Sequence, residues 1–217
     1  EFLNTKELIK KTAYEISKGK AIGWFQGRME FGPRSLGARS IIADPRNPKM
    51  QKNLNLKIKF RESFRPFAPS VLLEKVSDWF DLDSESPYML IVADVKKDKL
   101  LNSKQVKFNS LEKINNLRSK IPSVTHVDNS ARVQTVNKQN NKLFHDLILE
   151  FNKLTNVPIL INTSFNIRGE PIVCSPLDAL KCFMGTNLDF LVIENFFLDK
   201  KLQKKKIELY KSEFDLD

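Results

Sequence analysis

Hydrophobic residues along this 217-residue chain recur with a helical period in some segments and form short continuous runs in others. Apolar positions three and four residues apart predict amphipathic helices at residues 6–18 and 142–154, and Asn4 and Thr5 offer a cap for the first. Short apolar runs predict strands at residues 21–25, 40–43, 70–73, 89–95, 123–126, 131–136, 157–161 and 190–193. Helices and strands that alternate in this way are typical of a mixed α/β fold.

Weaker patterns fill the intervals between these elements. A turn at residues 44–48 leads into a helix that ends near Lys57, and a short helix surrounds Trp79. Ser175 and the proline after it begin another helix. The chain shows no internal repeat, and its length suits one domain.

Lysine-rich segments carry much of the positive charge. The formal net charge is +10 and the pI is near 9.5, which favours an anionic partner such as a nucleotide, a nucleic acid or a membrane surface. Residues 96–120 are rich in lysine and asparagine, so we expect a surface insertion with one short helix, and we assign it no function. Residues 200–210 predict a basic helix. We interpret most of the lysines as a solvated surface.

Other features narrow the class of protein. No apolar run approaches the roughly 20 residues that span a bilayer, and no signal-peptide pattern begins the chain, so we expect a cytoplasmic protein. Cys174 and Cys182 are the only cysteines, which argues against a disulfide framework or a four-ligand zinc site and predicts two buried thiols. The first residue is Glu1 rather than Met, which favours a fragment of a longer polypeptide.

Glycine and arginine cluster in one part of the sequence. Five of the seven glycines and six of the nine arginines lie between residues 19 and 65. Arg28, Arg34 and Arg39 alternate with glycines in a loop whose amides could approach an anion, while guanidinium groups form forked bonds to phosphate or carboxylate. We favour ligand binding for Arg34. For Arg28 and Arg39, support of the loop, with Glu30 paired to one arginine, is an equal alternative.

A second group of cations follows this loop. Lys57, Lys59 and Arg61 alternate with apolar residues, which predicts an extended segment with the cations on one face, and Arg65 continues the group. Several converging cations suit the charge of a triphosphate. An edge strand kept soluble by its charge is the alternative.

Polar residues follow two of the predicted strands. Residues 162–166, Asn-Thr-Ser-Phe-Asn, come after a buried strand, where hydroxyls and amides can bind phosphate or a nucleotide; a turn that caps a helix is the alternative. His126 could be a base or a ligand, although a hydrogen-bonded structural histidine is the stronger interpretation, and His145 lies on a predicted helix. Arg132, within a strand, needs an anionic partner wherever it points.

Together these segments resemble the C-terminal domain of the carbamoyltransferases of nodulation and antibiotic tailoring. The similar stretches are residues 27–39, 59–69, 126–134 and 158–171. The resemblance implies an α/β, YrdC-like fold over residues 1–217, with a twisted open mixed sheet, flanking helices and a basic nucleotide cleft. On this resemblance, we expect that this chain does not include the N-terminal iron-binding transfer domain of that family.

The same resemblance implies an enzyme that converts carbamoyl phosphate and ATP into carbamoyl-adenylate, with release of phosphate and pyrophosphate. The N-terminal domain would then carbamoylate an acceptor hydroxyl. The resemblance implies Mg²⁺ bound with ATP, iron only in the N-terminal domain, and no metal site in this chain. The catalytic residues would be Lys59, Arg65 and Arg132. Nucleotide or substrate would be bound by Arg34, Arg61, His126, Asn162, Ser164 and Asn166.

One residue departs from the family pattern, and two other function classes stay open. Asn129 stands where the family's His-Val-Asp-Gly pattern has glycine, and asparagine tolerates the left-handed backbone better than most residues. Phe60 and Phe64, interleaved with cations, are also compatible with RNA binding. A nucleotide-binding domain without catalytic activity is the other alternative.

Overall fold

The computed structural model describes residues 1–101 and 117–203. Within these residues the helices are α1 (Thr5–Ser17), α2 (Met50–Lys57), α3 (Val76–Trp79), α4 (Lys142–Thr155) and α5 (Pro176–Gly185). The strands are β1 (Ile22–Phe25), β2 (Arg39–Ala43), β3 (Ala68–Leu72), β4 (Ile91–Asp94), β5 (Ser130–Val136), β6 (Ile159–Ser164), β7 (Phe190–Ile193) and β8 (Phe196–Asp199).

The strands form one mixed sheet in the order β4-β5-β3-β6-β2-β1-β7-β8. The pairs β3/β5 and β1/β7 are parallel, and all other neighbours are antiparallel. Strands β1, β4, β6 and β7 therefore run in one direction, and β2, β3, β5 and β8 run in the other. Strand β6 lies near the middle of the sheet, so its residues can reach segments from both halves of the chain.

The helices begin and end where local sequence dictates. Asn4 and Glu7 form a capping box at the start of α1, and Ser175 and Asp178 form another at the start of α5. Helix α4 ends at Asn156, which adopts the left-handed conformation with φ of 57°.

Helix and sheet share one hydrophobic core. Helices α1 and α4 pack against each other, α4 also contacts β3 and β6, and α5 contacts β1 and β7. Gly23 of β1 permits very close packing, because a Cβ there would lie 2.6 Å from the ring of Phe165, the residue that follows β6. This contact holds Phe165, directly after β6, against β1.

The predicted fold class is confirmed, and most predicted elements are present. The predicted strand at 123–126 is wrong, because Pro122–Val124 form a 3₁₀ turn. The predicted buried strand at 89–95 is shorter and mostly exposed, since β4 is an edge strand. Strand β8 was not predicted.

The two basic segments fall partly outside the described residues. Residues 102–116 of the predicted insertion and residues 204–210 of the predicted tail helix lie there. Lys97–Lys99 and Lys200–Leu202 form 3₁₀ turns. Within the part of the chain that the structure describes, no helix is long and apolar enough to cross a membrane.

Candidate active site

Strand directions bring the sequence motifs to one edge of the sheet. Strands β1 and β6 end at this edge, whereas β2, β3 and β5 begin there. The loop 26–38 joins β1 to β2, residues 58–67 lead into β3, residues 126–129 lead into β5, and residues 165–169 follow β6. We call this edge, with these segments, the motif edge.

The loop 26–38 is braced by its own chain. The Glu30 carboxylate accepts hydrogen bonds from the Leu36 amide at 2.6 Å and the Ala38 amide at 2.7 Å. Glu194 accepts from the Gly27 amide at 2.8 Å. The alternative in which Glu30 forms an ion pair with an arginine is not found among the described residues, since two backbone amides bind its carboxylate. These amides are not available to an external anion in this conformation.

Arg39 also supports the loop. It is buried, its guanidinium donates to the carbonyl oxygens of Gln26 and Gly27 at 2.9 Å, and it stacks over the Phe25 ring at 3.4 Å. Burial lowers the pKa of Arg39. Of the two interpretations of Arg39, the geometry favours a structural role.

A buried polar network joins the loop to three strands. The side-chain amide of Gln134 in β5 donates from Nε2 to the Leu36 carbonyl at 2.8 Å. Its Oε1 accepts from the Asn162 side chain at 2.8 Å and from the Ser70 hydroxyl at 2.5 Å. Asn162 also donates to the Ser35 carbonyl at 3.1 Å. The network orients the loop over β3, β5 and β6.

Some atoms of this network remain unpartnered, and some of its members were not predicted. Within residues 1–101 and 117–203, the buried Oδ1 atom of Asn162 and the buried Oγ atom of Ser35 have no hydrogen-bond partner. Asn162 lies within β6 rather than in the turn after it. Sequence reasoning missed Gln134 and Ser70, although the period of two from Arg132 places Gln134 on the same face of β5.

Lys59 lies beneath the end of β6. It is 3% exposed, and its ammonium is surrounded by four oxygen atoms. It donates to the carbonyl and the Oγ of Ser164, at 2.5 and 3.1 Å, and to the carbonyl and the Oδ1 of Asn166, at 3.0 and 2.7 Å. Burial, followed by the charge of Arg61, lowers the pKa of Lys59 to about 7. Lys59 thus joins the predicted Ser164 and Asn166 in one cluster, which fixes the turn after β6.

The expected extended segment with alternating faces is wrong. Lys57 is the last residue of α2, Lys59 is buried, and Phe60, with φ of 49°, is exposed. The four oxygen atoms around the Lys59 ammonium explain the reversal, because they compensate for its removal from water.

Arg132 and Arg34 form a pair of like charges. Arg132 projects from β5, and its Nη2 lies 3.9 Å from the Met89 sulfur. Its buried Nε has no hydrogen-bond partner among the residues that the structure describes. Burial, followed by the charge of exposed Arg34, lowers the pKa of Arg132. Within the described residues, neither arginine forms an ion pair with a carboxylate. This pair has the electrostatics of an anion site.

A second arginine group has partners of its own. Arg61 donates from Nε to Asn55 at 2.7 Å, and Arg65 pairs with Glu62 at 2.9 Å. The pKa of Glu62 is lowered first by its own backbone amide and further by the charges of Arg65, Arg168 and Arg61. Arg61 and Arg65 are therefore near the predicted site, but internal contacts engage them.

His126 stands at the same edge in a short polar chain. Its Nδ1 lies 2.9 Å from the Ser130 Oγ, which donates to the Asp128 carboxylate at 2.7 Å. Burial is the main cause that lowers the pKa of His126, and Arg132 lowers it further against the opposing charge of Asp128. The second histidine, His145, is in α4 and bonds to Glu74, which follows the opposite end of β3.

The cysteines and the acidic residues do not build a metal centre in the described part of the chain. Cys182 is buried, and burial raises its pKa to about 12, whereas Cys174 is exposed, so the expectation of two buried thiols is wrong for Cys174. No group of three histidine, cysteine, aspartate or glutamate residues could hold a metal ion among the residues described.

A known protein family matches the part of the chain that contains these motifs. Residues 13–200 match the family described as Carbamoyltransferase C-terminus. The chain belongs to this carbamoyltransferase family. All the residues discussed above that form the motif edge fall inside the matched range.

Curated relatives of this carbamoyltransferase domain are longer proteins. The chain is 54% identical over its whole length to the uncharacterized protein sll1178 of Synechocystis sp., of which it covers 36%. It is 43% identical over 90% of its length to the nodulation protein NolNO of Sinorhizobium fredii, of which it covers 26%. The chain therefore spans about a third or less of these relatives.

A solved structure shows the same fold. Full-length HypF, in its phosphate- and nucleotide-bound form, is similar over 86% of this chain and 25% of that chain, with a TM-score of 0.51 and 15% identity.

The carbamoyltransferase domain also keeps the turn where it departs from the family pattern. Asn129 adopts φ of 69°, the left-handed conformation that glycine would otherwise supply.

Proposed function

We propose that this carbamoyltransferase domain binds ATP and carbamoyl phosphate and forms carbamoyl-adenylate, which a separate N-terminal domain uses to carbamoylate an acceptor hydroxyl. The observation that carries the proposal is the pair of Arg132 and Arg34. Two guanidinium groups held near each other without a carboxylate are stabilised when an anion binds between them. Membership of the family supports a transferase role.

The reaction balances with one water molecule. Water converts carbamoyl phosphate to carbamate and phosphate, and a carbamate oxygen then attacks the α-phosphorus of ATP. The bond to the bridging oxygen breaks, and pyrophosphate leaves. In this scheme Arg34 and Arg132 bind phosphate oxygens and stabilise the charge that builds up during the attack.

Lys59 and the β6 turn serve this chemistry differently. Because the Lys59 ammonium is already bonded to Ser164 and Asn166, its role is to position these residues. The Ser164 hydroxyl now donates to the Asn166 Oδ1 at 2.7 Å, and the Asn166 amide donates to the Glu170 carbonyl at 2.7 Å. On this proposal they exchange these contacts for phosphate or carbamoyl groups when the ligands bind. Arg61 and Arg65 add positive charge at the rim of the site.

Magnesium fits this scheme as a companion of the nucleotide. The described residues offer cations and neutral polar groups around the anion site, and no cluster of acidic ligands. Mg²⁺ held by the triphosphate itself would supply further neutralisation of phosphate charge. Iron belongs, on this proposal, to the separate N-terminal domain.

Pyrophosphate exchange tests the proposal. The full-length protein should incorporate labelled pyrophosphate into ATP only when carbamoyl phosphate is present, and Arg132→Met should lower the exchange rate about 100-fold. The matched control is Arg46→Met, because Arg46 pairs with buried Asp44 at the opposite edge of the sheet, at 2.6 Å. The control should lose roughly 1–3 kcal/mol of stability and retain the exchange.

The outcomes separate the alternatives. Exchange that does not depend on carbamoyl phosphate contradicts the proposed substrates. ATP binding without any exchange indicates a nucleotide-binding domain that is not catalytic. Equal exchange in Arg132→Met and the unmodified protein contradicts the assignment of the arginine pair.

RNA binding is the second candidate because Phe60 and Phe64 are both about half exposed beside arginines, at 50% and 55%. It predicts binding of single-stranded RNA that weakens steeply with salt and is unaffected by carbamoyl phosphate.

A further inference from the structure

Gln134 is a buried polar residue to which the proposed chemistry gives no part. It is 3% exposed, and it lies on the same face of β5 as Arg132, two residues earlier. Because β5 is hydrogen-bonded to both β3 and β4, the two residues keep a fixed spacing of roughly 7 Å along the strand. Gln134 is therefore a fixed point beside one arginine of the pair.

Only one orientation of the Gln134 side-chain amide satisfies its neighbours. Its Oε1 accepts from the Ser70 hydroxyl at 2.5 Å and from the Asn162 amide at 2.8 Å, while its Nε2 donates to the Leu36 carbonyl at 2.8 Å. A reversed amide would place its NH₂ group against the Asn162 NH₂ group and its oxygen against the Leu36 carbonyl. The donor of Gln134 is therefore directed at the loop 26–38.

The backbone directly after Arg34 is fully hydrogen-bonded. From the carbonyl of residue 35 to the amide of residue 38, each N–H and C=O group has a partner, and the side chains that provide these partners are Trp24, Glu30, Ser40, Gln134 and Asn162. Of these five, only Gln134 belongs to β5, the strand that carries Arg132. Gln134 therefore links the segment after Arg34 directly to the strand of Arg132.

Repulsion within the arginine pair gives this link its importance. Burial, followed by the charge of Arg34, lowers the pKa of Arg132, so the two cations repel each other. Arg132 is held within a strand, whereas Arg34 is exposed on a loop, so repulsion acts to displace Arg34. The bond from Gln134 to the Leu36 carbonyl opposes this displacement. Charged groups that are held in place before the ligand arrives need no rearrangement during the reaction.

We propose that Gln134 is a positioning residue for the proposed reaction. Its bond to the Leu36 carbonyl sets the distance between Arg34 and Arg132 at which the pair binds phosphate. Gln134 acts through Arg34 and does not itself contact the substrates. This inference rests on the proposed function, because the reaction that it serves is the formation of carbamoyl-adenylate.

A double-mutant cycle on the full-length protein tests the inference, with pyrophosphate exchange into ATP in the presence of carbamoyl phosphate as the measurement. Gln134→Met removes the donor to the Leu36 carbonyl and should lower the exchange rate about 10-fold. Arg34→Met should lower the rate about 100-fold. The double variant should exchange within about 2-fold of the rate of Arg34→Met, because Gln134 then has no arginine to position.

Gln26→Met is the matched control. Gln26 is also buried, belongs to the same loop, and donates from Nε2 to the Glu194 carbonyl at 3.0 Å rather than to the segment after Arg34. This variant should keep the exchange rate within about 2-fold.

Gln134→Asn is a second variant of the same residue. It keeps an amide, but its side chain is one methylene group shorter and does not reach the Leu36 carbonyl, so it should behave as Gln134→Met does. Thermal unfolding checks that each variant folds.

The outcomes separate this inference from the proposed function. Losses that add in the double variant would overturn the inference, because Gln134 would then act independently of Arg34. An unchanged rate in Gln134→Met would overturn it as well, and so would a failure of both Gln134 variants to fold, since Gln134 would then serve only the core. In these cases the unmodified protein still exchanges pyrophosphate, and the proposed function stands. No exchange that depends on carbamoyl phosphate in the unmodified protein would overturn the proposed function, and the role of Gln134 with it.

Discussion

Arginine side chains at the motif edge divide into two kinds according to their contacts. Arg39 uses its forked donors on the carbonyls of Gln26 and Gly27, so its charge shapes the loop. The buried Nε of Arg132 has no partner in the described part of the chain and lies beside another cation, an arrangement that destabilises the unliganded protein. Arg39 therefore stabilises the fold without a ligand, whereas an anion would relieve the cost of burying Arg132 beside Arg34.

The buried ammonium of Lys59 leads to a pH-dependent prediction. Burial lowers its pKa from 10.5 to about 7, so between these values the unfolded chain binds the extra proton. Relative to Lys59→Met, the free energy of unfolding should therefore rise as the pH increases from about 7 to 10.5. The slope is at most about 1.4 kcal/mol per pH unit, and the gain is lost as the pH falls back to 7. Urea unfolding across this range measures the difference.

The control for this prediction is Lys57→Met, which removes an exposed lysine two residues earlier. Its pH profile should stay parallel to that of the unmodified protein. Parallel profiles for Lys59→Met as well would contradict the prediction. They would mean that the four surrounding oxygens keep the ammonium charged up to pH 10.

At the scale of elements, the loop 26–38 is locked onto helix α4. Gly37 has φ of 110°, and a Cβ there would lie 2.4 Å from the Phe144 ring. Gly37→Ala adds both a clash and backbone strain, so the free energy of unfolding should fall by about 2–4 kcal/mol. Gly27→Ala is the control, because φ is 54° but nothing lies within 4 Å of the new Cβ.

Chemical denaturation compares the two glycine variants. Gly27→Ala should lose only about 1 kcal/mol from the left-handed backbone. A loss from Gly37→Ala no larger than that from Gly27→Ala would show that Phe144 moves aside at little cost. The loop would then not depend on α4 for its position.

Elements with a strong local pattern were predictable from the sequence. Helices α1 and α4 show a helical period and capping residues, and strands such as β7 are short apolar runs. Strand β8 was missed because it follows β7 after a tight turn in which Glu194 has φ of 48°. The burial of Lys59 was missed because its oxygen partners are more than 100 residues away along the chain.

The sequence named candidate site residues but not their geometry. The glycine and arginine cluster singled out Arg34, and a position within a predicted strand singled out Arg132, but the proximity of the two depends on the order and direction of strands. Pairing between strands is non-local, so no pattern in a single segment encodes it. For the same reason, the role of Gln134 became visible only from its contacts in the folded chain.

At the scale of the whole molecule, the sheet separates two sets of loops. The motif edge gathers residues 26–38, 58–67, 126–129 and 165–169, while the opposite edge carries residues 44–49, 73–75, 137–141 and 156–158. The two sets come from alternating parts of the sequence. Ligand binding at one edge therefore acts on segments that are distant along the chain and close in space.

Hydrogen–deuterium exchange with Mg-ATP and carbamoyl phosphate tests this organisation. All four segments of the motif edge should gain protection together, because one ligand site orders them jointly. The four loops of the opposite edge are the internal control and should exchange at unchanged rates. Arg132→Met should abolish the protection in every segment at once if, as proposed, the arginine pair anchors the phosphates. Protection confined to a single segment, or present at the opposite edge, would show that these motifs do not form one ligand-binding surface.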